Sequence, residues 1–379
     1  MLIKNARLLA EDFSFTEGDI TLEGGVISEI GKADGRADID ASGLTVIPGL
    51  VDIHTHGCGL WESYDGSGAV ADIARFLAKN GTTSFLPTSR GMDFDRLTEV
   101  TRELAEFISA PLDGDFAAPV GIHLEGPFIS EKKKGAHPAQ YLLAPDGALW
   151  ERLTKAAKGH IKLISLAPEL DGAKEFIQKV SKDMTVSIAH SAADYETATA
   201  SFGWGVTHAT HLFIAMTPLG HREPGVVGAV LDSQNVTAEL IADGEHVHPA
   251  AIRLVFNTIG ADRVVLISDS VTGAGLDTGE YTFRGQKHTC VKGKAVHLAD
   301  GTLAGGGALL LDNVRSLVSF GIPLEDAVKT ASINPARVIR AEDKIGSIAK
   351  GKQADLLIVD SSLALKAVIL RGKLLFAEL

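Results

Sequence analysis

Two histidines one residue apart, His54 and His56, follow the short apolar run Leu50–Ile53, and other such runs end in further titratable residues. Val120–Leu124 leads into His123-Leu124-Glu125, and Thr185–Ala189 ends at His190. Val206–Ala209 is accompanied by His208 and His211, Thr237–Ile241 runs into Asp243 and His246, and Arg263–Ile267 runs into Asp269. Imidazole and carboxylate groups ligate divalent metals and carry protons. On a strand, side chains two apart share a face, so His54 and His56 can point the same way. Each residue alone has an ordinary explanation, such as a histidine bonded to backbone or a satisfied carboxylate acceptor. The joint pattern is more demanding: His54, His56, Glu125, His190 and His211 offer nitrogen or oxygen donors from four different runs. A donor set without thiolates favours zinc, with iron, manganese or cobalt as alternatives, over iron–sulfur chemistry. Such a centre would supply metal-activated water, with Asp269 beside it as general base.

These residues need a scaffold that brings strand ends together. Short apolar strands alternate with helix-length stretches, which predicts parallel βα units. The strands are expected at Leu50–Ile53, Thr82–Leu86, Val120–Leu124, Ile161–Leu166, Thr185–Ala189, Val206–Ala209, Thr237–Ile241 and Arg263–Ile267. Helices are expected at Ser67–Lys79, Phe94–Ile108, Gly172–Lys182, Tyr195–Phe202, Pro249–Thr258, Leu309–Phe320 and Leu324–Ser332. Eight strands over about 290 residues fit a (β/α)8 barrel, whose active site lies at the C-terminal strand ends. Tyr281–Leu303 reads as a β-hairpin inserted after the eighth strand. Both chain ends read instead as strands and turns, each too thin for a core of its own. Together, residues 1–48 and 342–379 are expected to form one small β-domain beside a barrel of residues 49–341.

The balance of 36 basic and 48 acidic residues leaves a charge of −12, which disfavours nucleic acid and anionic membranes as partners. With 45% hydrophobic and 22% charged residues in 379, the chain can build a large core without disulfides. Its two cysteines, Cys58 and Cys290, form no disulfide framework, and charges interrupt the apolar N-terminus, so a cytoplasmic location is expected. No apolar run approaches the roughly 20 residues that span a bilayer. Cys58 reads as a small buried residue, and Lys132-Lys133-Lys134 as a solvated loop or a source of positive potential at the site entrance. Gly305-Gly306-Gly307 lacks the spacing of a phosphate loop.

Over essentially its whole length the chain resembles the amidohydrolase superfamily, through Pro48-Gly49-Leu50-Val51-Asp52-Ile53-His54-Thr55-His56-Gly57. His123–Phe128, Leu166-Ala167-Pro168-Glu169, Thr210–Phe213, Gly220–Gly225, Asp243–Val247 and Leu303-Ala304-Gly305 are similar to motifs of the N-acetylglucosamine-6-phosphate deacetylases. The resemblance implies a (β/α)8 barrel with a small β-sandwich domain from both termini, usually in a homodimer. It implies that Glu125, His190 and His211 hold a principal metal and that His54 and His56 bind a second. Strand four offers no lysine at its C-terminal end for a carbamate bridge, because Lys162 lies at the other end, and Glu125 is the available carboxylate. By the same resemblance Asp269 is the catalytic base and His137 lies near the scissile carbonyl. Ala136, His137, Ile214, Ala215, Arg222, His246 and Leu303 would bind a small phosphorylated amino sugar, with Arg222 and His246 receiving its phosphate, one of them across the dimer.

The chain departs from the family pattern at Ile214, where asparagine is usual, and at Ala189, Ser268, Ser270 and the pair Gly306-Gly307. None of these is a metal-ligand position. Besides N-acetylglucosamine 6-phosphate, another N-acetylhexosamine phosphate or an unphosphorylated N-acyl compound therefore stays open as substrate. A non-catalytic scaffold would have lost ligands, and this chain keeps them all.

Overall fold

The computed structural model describes residues 1–111 and 114–378. Eight parallel strands, numbered one to eight below, close into a barrel: Leu50–Thr55, Thr82–Pro87, Ile122–Glu125, Ile161–Leu166, Thr185–Ile188, Val206–Ala209, Thr237–Ile241 and Val264–Ile267. Strands three to eight pair in sequence order, and strand two pairs with strand one. The bridges Thr88–His123 and Thr55–Ser270 complete the ring. The strands are buried on both faces along most of their length, which is why these segments read as continuous apolar runs. Leu50, Phe85, Leu124, Ile164 and Leu266 pack outward against the helices. Val51, Ile53, Leu86, Leu163, Ile241 and Val265 fill the interior. Above this apolar plug lies a buried polar layer in which the hydroxyls of Ser165, Thr210 and Ser187 form a chain and Ser165 meets His123 Nε2 at 2.7 Å.

The helices lie where amphipathic spacing and caps put them. Asp93 accepts from the backbone N–H groups of Asp95 and Arg96 to start Phe94–Ser109, and Asp194 caps Tyr195–Trp204 in the same way. Helices Gly147–Ala157 and Gly225–Asp232 are additional to those expected from the sequence. The second is understandable: its glycines and valines are poor helix formers, and Gly225–Val230 are all buried, so tertiary packing overrides propensity. The inserted hairpin is larger than expected, a four-stranded antiparallel sheet of Gly279–Phe283, Gln286–Cys290, Val296–Leu298 and Leu303–Gly305.

Strands from both chain ends share one eight-stranded sheet. Leu356–Val359 runs antiparallel to Thr45–Pro48 and ties the C-terminal strands to the N-terminal ones. A bridge from Val26 to Gln353 curls the sheet over a core of Ile3, Leu8, Ile20, Val46, Leu356, Ile369 and their neighbours. Residues on its other face, among them Ile47, Leu357 and Val368, join the outer core of the barrel.

Candidate active site

The C-terminal ends of the barrel strands bring His54, His56, Glu125, His190, His211 and Asp269 into one buried cluster. Glu125 is its centre. One carboxylate oxygen, Oε1, lies 3.1 Å from His190 Nε2 and 3.0 Å from His211 Nε2, with the two imidazoles 3.1 Å apart. The other oxygen, Oε2, lies 3.3 Å from His56 Nε2 and 3.0 Å from His137 Nε2. Across from Glu125, Asp269 Oδ1 is 3.3 Å from both His54 Nε2 and His56 Nε2. The cluster thus has two lobes, one from strands one and eight and one from strands five and six, sharing a single carboxylate.

Local backbone geometry aims these groups. Val51 and Ile53 belong to the inner core, yet His54 also points inward; the pairing of strands one and two is irregular between Asp52 and Thr55, and this kink lets Ile53 and His54 share the interior. His211, Phe213, Ala215 and Asp269 all have positive φ, at 29°, 81°, 51° and 45°. Such conformations are costly for residues with a Cβ and are retained where surrounding structure over-determines them.

The outer ring nitrogens settle which imidazole nitrogen faces the cluster. His54 Nδ1 donates to Glu239 Oε2 at 2.9 Å, and His190 Nδ1 donates to the Lys133 carbonyl at 3.0 Å, so each turns an Nε2 lone pair inward when neutral. Acceptor nitrogens and carboxylate oxygens then face one another at about hydrogen-bond distance, an arrangement that requires protons or a cation between them. His54, His56 and Glu125 offer ligand atoms within 4.8 Å of one another, and so do Glu125, His137 and His190. An all nitrogen-and-oxygen donor set of this kind fits a divalent metal. His137 differs. Its Nδ1 accepts from the Gly91 N–H at 2.9 Å, so the neutral ring carries its proton on Nε2, toward the cluster.

A cavity of 240 Å³ opens over the cluster, and Ala136, His137, Ile214, Ala215, His246 and Leu303 line it together with Tyr64 and Arg90. Arg222 does not. It is exposed and lines a separate cavity with Asp194, Tyr195 and Pro218, so within one chain it is not part of the central site expected from the sequence. The reason is local: Gly220–Pro224 forms an outward turn before the buried helix Gly225–Asp232. Lys132–Lys134 also stays off the cavity and contributes a backbone carbonyl rather than charge.

An amidohydrolase family model matches residues 45–375. The chain belongs to the amidohydrolase family. It is 35% identical to the N-acetylglucosamine-6-phosphate deacetylase of Bacillus subtilis (strain 168), over 99% of this chain and 97% of that protein. It is 32% identical to the N-acetylgalactosamine-6-phosphate deacetylase of Escherichia coli O157:H7, over 98% of each. Among solved structures it resembles a mutant of the Mycobacterium smegmatis N-acetyl-D-glucosamine-6-phosphate deacetylase in complex with N-acetyl-D-glucosamine-6-phosphate, with TM-score 0.90, 29% identity and coverage of 100% of this chain and 99% of that one.

The electrostatics of this amidohydrolase separate its two lobes. Burial opposes charge on His54, but Asp269 and Glu239 outweigh it and hold the imidazole pKa up to about 10. His56 is likewise held at about 9 against burial by its contacts with Asp269 and Glu125. His190 is instead pushed down, chiefly by burial. Burial alone would raise Asp269, yet His54 and His56 bring its carboxyl down to about 2. His123, beside the cluster, is lowered to about 3 by burial; its Nδ1 meets the Ile53 carbonyl at 3.1 Å, and it serves the polar layer rather than the site.

Glu239 is a residue of the site to which no sequence motif points. Fully buried, it accepts from His54 Nδ1, from His208 Nε2 at 3.1 Å and from the His211 backbone N–H at 3.2 Å. One signal was available: a lone charge in the middle of the apolar strand Thr237–Ile241.

Proposed function

We infer that the chain hydrolyses the acetamide of N-acetyl-D-glucosamine 6-phosphate, giving acetate and D-glucosamine 6-phosphate. The observation that carries this reading is Glu125 shared between two histidine pairs, with Asp269 and the Nε2–H of His137 facing the same cavity. The full-length similarity to deacetylases of amino-sugar phosphates points to the same substrate class.

Glu125, His190 and His211 would hold one divalent metal and His54 and His56 a second, zinc being the ion that best suits the donors. When bound, the metal polarises the acetamide carbonyl and lowers the pKa of water. Asp269 takes the proton of the attacking water. His137 donates its Nε2–H to the carbonyl oxygen as negative charge develops there, an interaction stronger in the transition state than in the ground state. As the C–N bond breaks, Asp269 returns its proton to the departing amine. Ala215 supplies a backbone N–H and His246 an imidazole for the phosphate, whereas the Ile214 N–H is already donated to the His211 carbonyl at 2.9 Å. Arg222, exposed and off the cavity, would reach it from the partner subunit of a homodimer. The buried free thiols of Cys58 and Cys290 suit a reducing cytoplasm, and among the described residues no helix is long and apolar enough to cross a membrane.

The test compares N-acetylglucosamine 6-phosphate with N-acetylglucosamine. A preference of at least about 10²-fold in kcat/KM, roughly 2.7 kcal/mol, is expected. Arg222→Ala should erase most of it and barely affect the unphosphorylated sugar. Equal efficiency on both sugars would overturn the phosphate assignment. The similar identity to an N-acetylgalactosamine-6-phosphate deacetylase favours N-acetylgalactosamine 6-phosphate as a second reading, which the same assay on the epimer decides.

A further inference from the structure

Arg90 is the cation of the active-site cavity that the deacetylation chemistry leaves unused. It follows strand two, and its backbone is pinned on both sides. The Ser89 N–H donates to the His123 carbonyl at 3.0 Å, and the Gly91 N–H to His137 Nδ1 at 2.9 Å. Its guanidinium lies over the Tyr64 ring, 4.8 Å from the centroid. Among the described residues, Arg90 makes no ion pair with a carboxylate. Arg284, on the same ring at 5.3 Å, is by contrast paired with Glu62 at 2.6 Å and Asp65 at 2.5 Å. A guanidinium that is charged, oriented and without a counter-ion is prepared for an anionic ligand.

Arg90 also lines a second groove of 570 Å³, which shares Gly135, Ala136, Val271, Leu303 and Ala304 with the central cavity and so continues it. The inserted four-stranded sheet walls this groove with Phe283, Gln286, His288 and Leu298. Thr272 lines it too; the residue is only 9% exposed and its hydroxyl has no hydrogen-bond partner. Glu62 is on the same wall, but its charge is matched by Arg284. Strand two, which leads to Arg90, lies four strands round the barrel from strand six, which leads to Ile214 and Ala215, so Arg90 enters the cavity from the side opposite the phosphate end proposed above.

We propose that Arg90 and this groove form a second subsite, for a carboxylate carried on a short apolar extension of the amino-sugar substrate. One bidentate guanidinium matches one carboxylate, and Phe283, Leu298 and Leu303 match the stem that carries it. The proposal rests on the deacetylase reading and adds a substrate class to it: N-acyl hexosamine phosphates with an additional acidic substituent. Two sources share this chemistry, an acidic acyl group and an acidic ether on the sugar.

The experiment measures kcat/KM for two pairs of compounds. N-succinylglucosamine 6-phosphate is compared with its uncharged N-butyryl analogue, and N-acetylmuramic acid 6-phosphate with the corresponding 3-O-propyl ether. The enzyme should favour the carboxylate member of at least one pair by about tenfold or more, the lower end of what a charged hydrogen bond supplies. The pair that responds identifies the source. Arg90→Gln should bring that ratio near one, and Arg90→Lys should keep part of it. A ratio near one in the unmodified enzyme, or one that survives Arg90→Gln, overturns the subsite. Equal loss in Arg90→Gln on all phosphorylated compounds, with N-acetylglucosamine spared, would make Arg90 a phosphate contact and overturn it as well. N-Acetylglucosamine 6-phosphate, run alongside, tests the parent reading separately. Should it not turn over, the deacetylase assignment fails, and the same ratios read as Kd by calorimetry still decide Arg90.

Discussion

The two lobes around Glu125 are built from the same residue types but backed differently. In the lobe of strands one and eight, His54 rests on the buried carboxylate Glu239, and Asp269 lies beside both histidines. Behind them Asp52 accepts from Ser268 Oγ at 2.5 Å. In the lobe of strands five and six, His190 rests on a neutral backbone carbonyl, and His211 Nδ1 has no partner. One lobe is thus surrounded by negative charge, whereas in the other Glu125 is, among the described residues, the one carboxylate that meets the imidazole rings. Identical ligands therefore need not make equivalent sites, because the groups behind them set charge and orientation.

The severest way to break this comparison is to remove what the lobes share. Glu125→Ala should empty both lobes and abolish turnover, with elemental analysis showing metal lost from each. Retention of a full complement would mean that Glu125 is no bridge. Next comes Asp269→Asn, expected to lower kcat by about 10² to 10⁴-fold while metal stays in the lobe of strands five and six. A variant within about tenfold of the unmodified enzyme lies below that range and removes Asp269 as general base.

Glu239→Gln sharpens the comparison. It should weaken metal binding by about 10 to 100-fold in the lobe of His54, with the other lobe affected much less. Equal weakening in competition titrations with a chelator would show that Glu239 acts on both lobes through the His211 backbone. The smallest effect concerns His246. Burial lowers its pKa, but Asp243, 2.6 Å from Nδ1, outweighs this and raises it above the ordinary value. The imidazolium is therefore present below that raised pKa and lost as pH increases through it. KM for the phosphorylated sugar should rise a few-fold as pH increases past the ordinary imidazole range, where the phosphate itself, with a second pKa of about 6, no longer titrates. Asp243→Asn should move the inflection to lower pH; an unmoved profile would take His246 out of phosphate binding.

Much of this architecture was legible in the chain. Apolar runs ending in histidine or acid located the barrel strands within a few residues, and Asp93 and Asp194 marked helix starts. Periodicity did not reveal helix Gly225–Asp232, because buried valines and glycines carry neither an amphipathic pattern nor helix propensity. The resemblance assigns Arg222 to the phosphate, one of Arg222 and His246 acting across a dimer; within one chain the turn before that helix faces outward and Arg222 lines a separate cavity.

The sequence by itself determined the donor inventory: which strand ends carry nitrogen or oxygen, that no thiolate joins them, and that parallel βα units must gather them at one face. Only the tertiary structure decided how each donor is presented. The proton on His54 is fixed by Glu239, 185 residues away, and the orientation of His190 by a carbonyl 57 residues before it. The inward turn of His54 depends on a kink in strand pairing, and Arg90 enters the cavity because Ser89 and Gly91 bind groups from strand three and its following loop. Residue type follows from local sequence, but ring tautomer and side-chain direction depend on hydrogen-bond partners that only the closed barrel brings within reach.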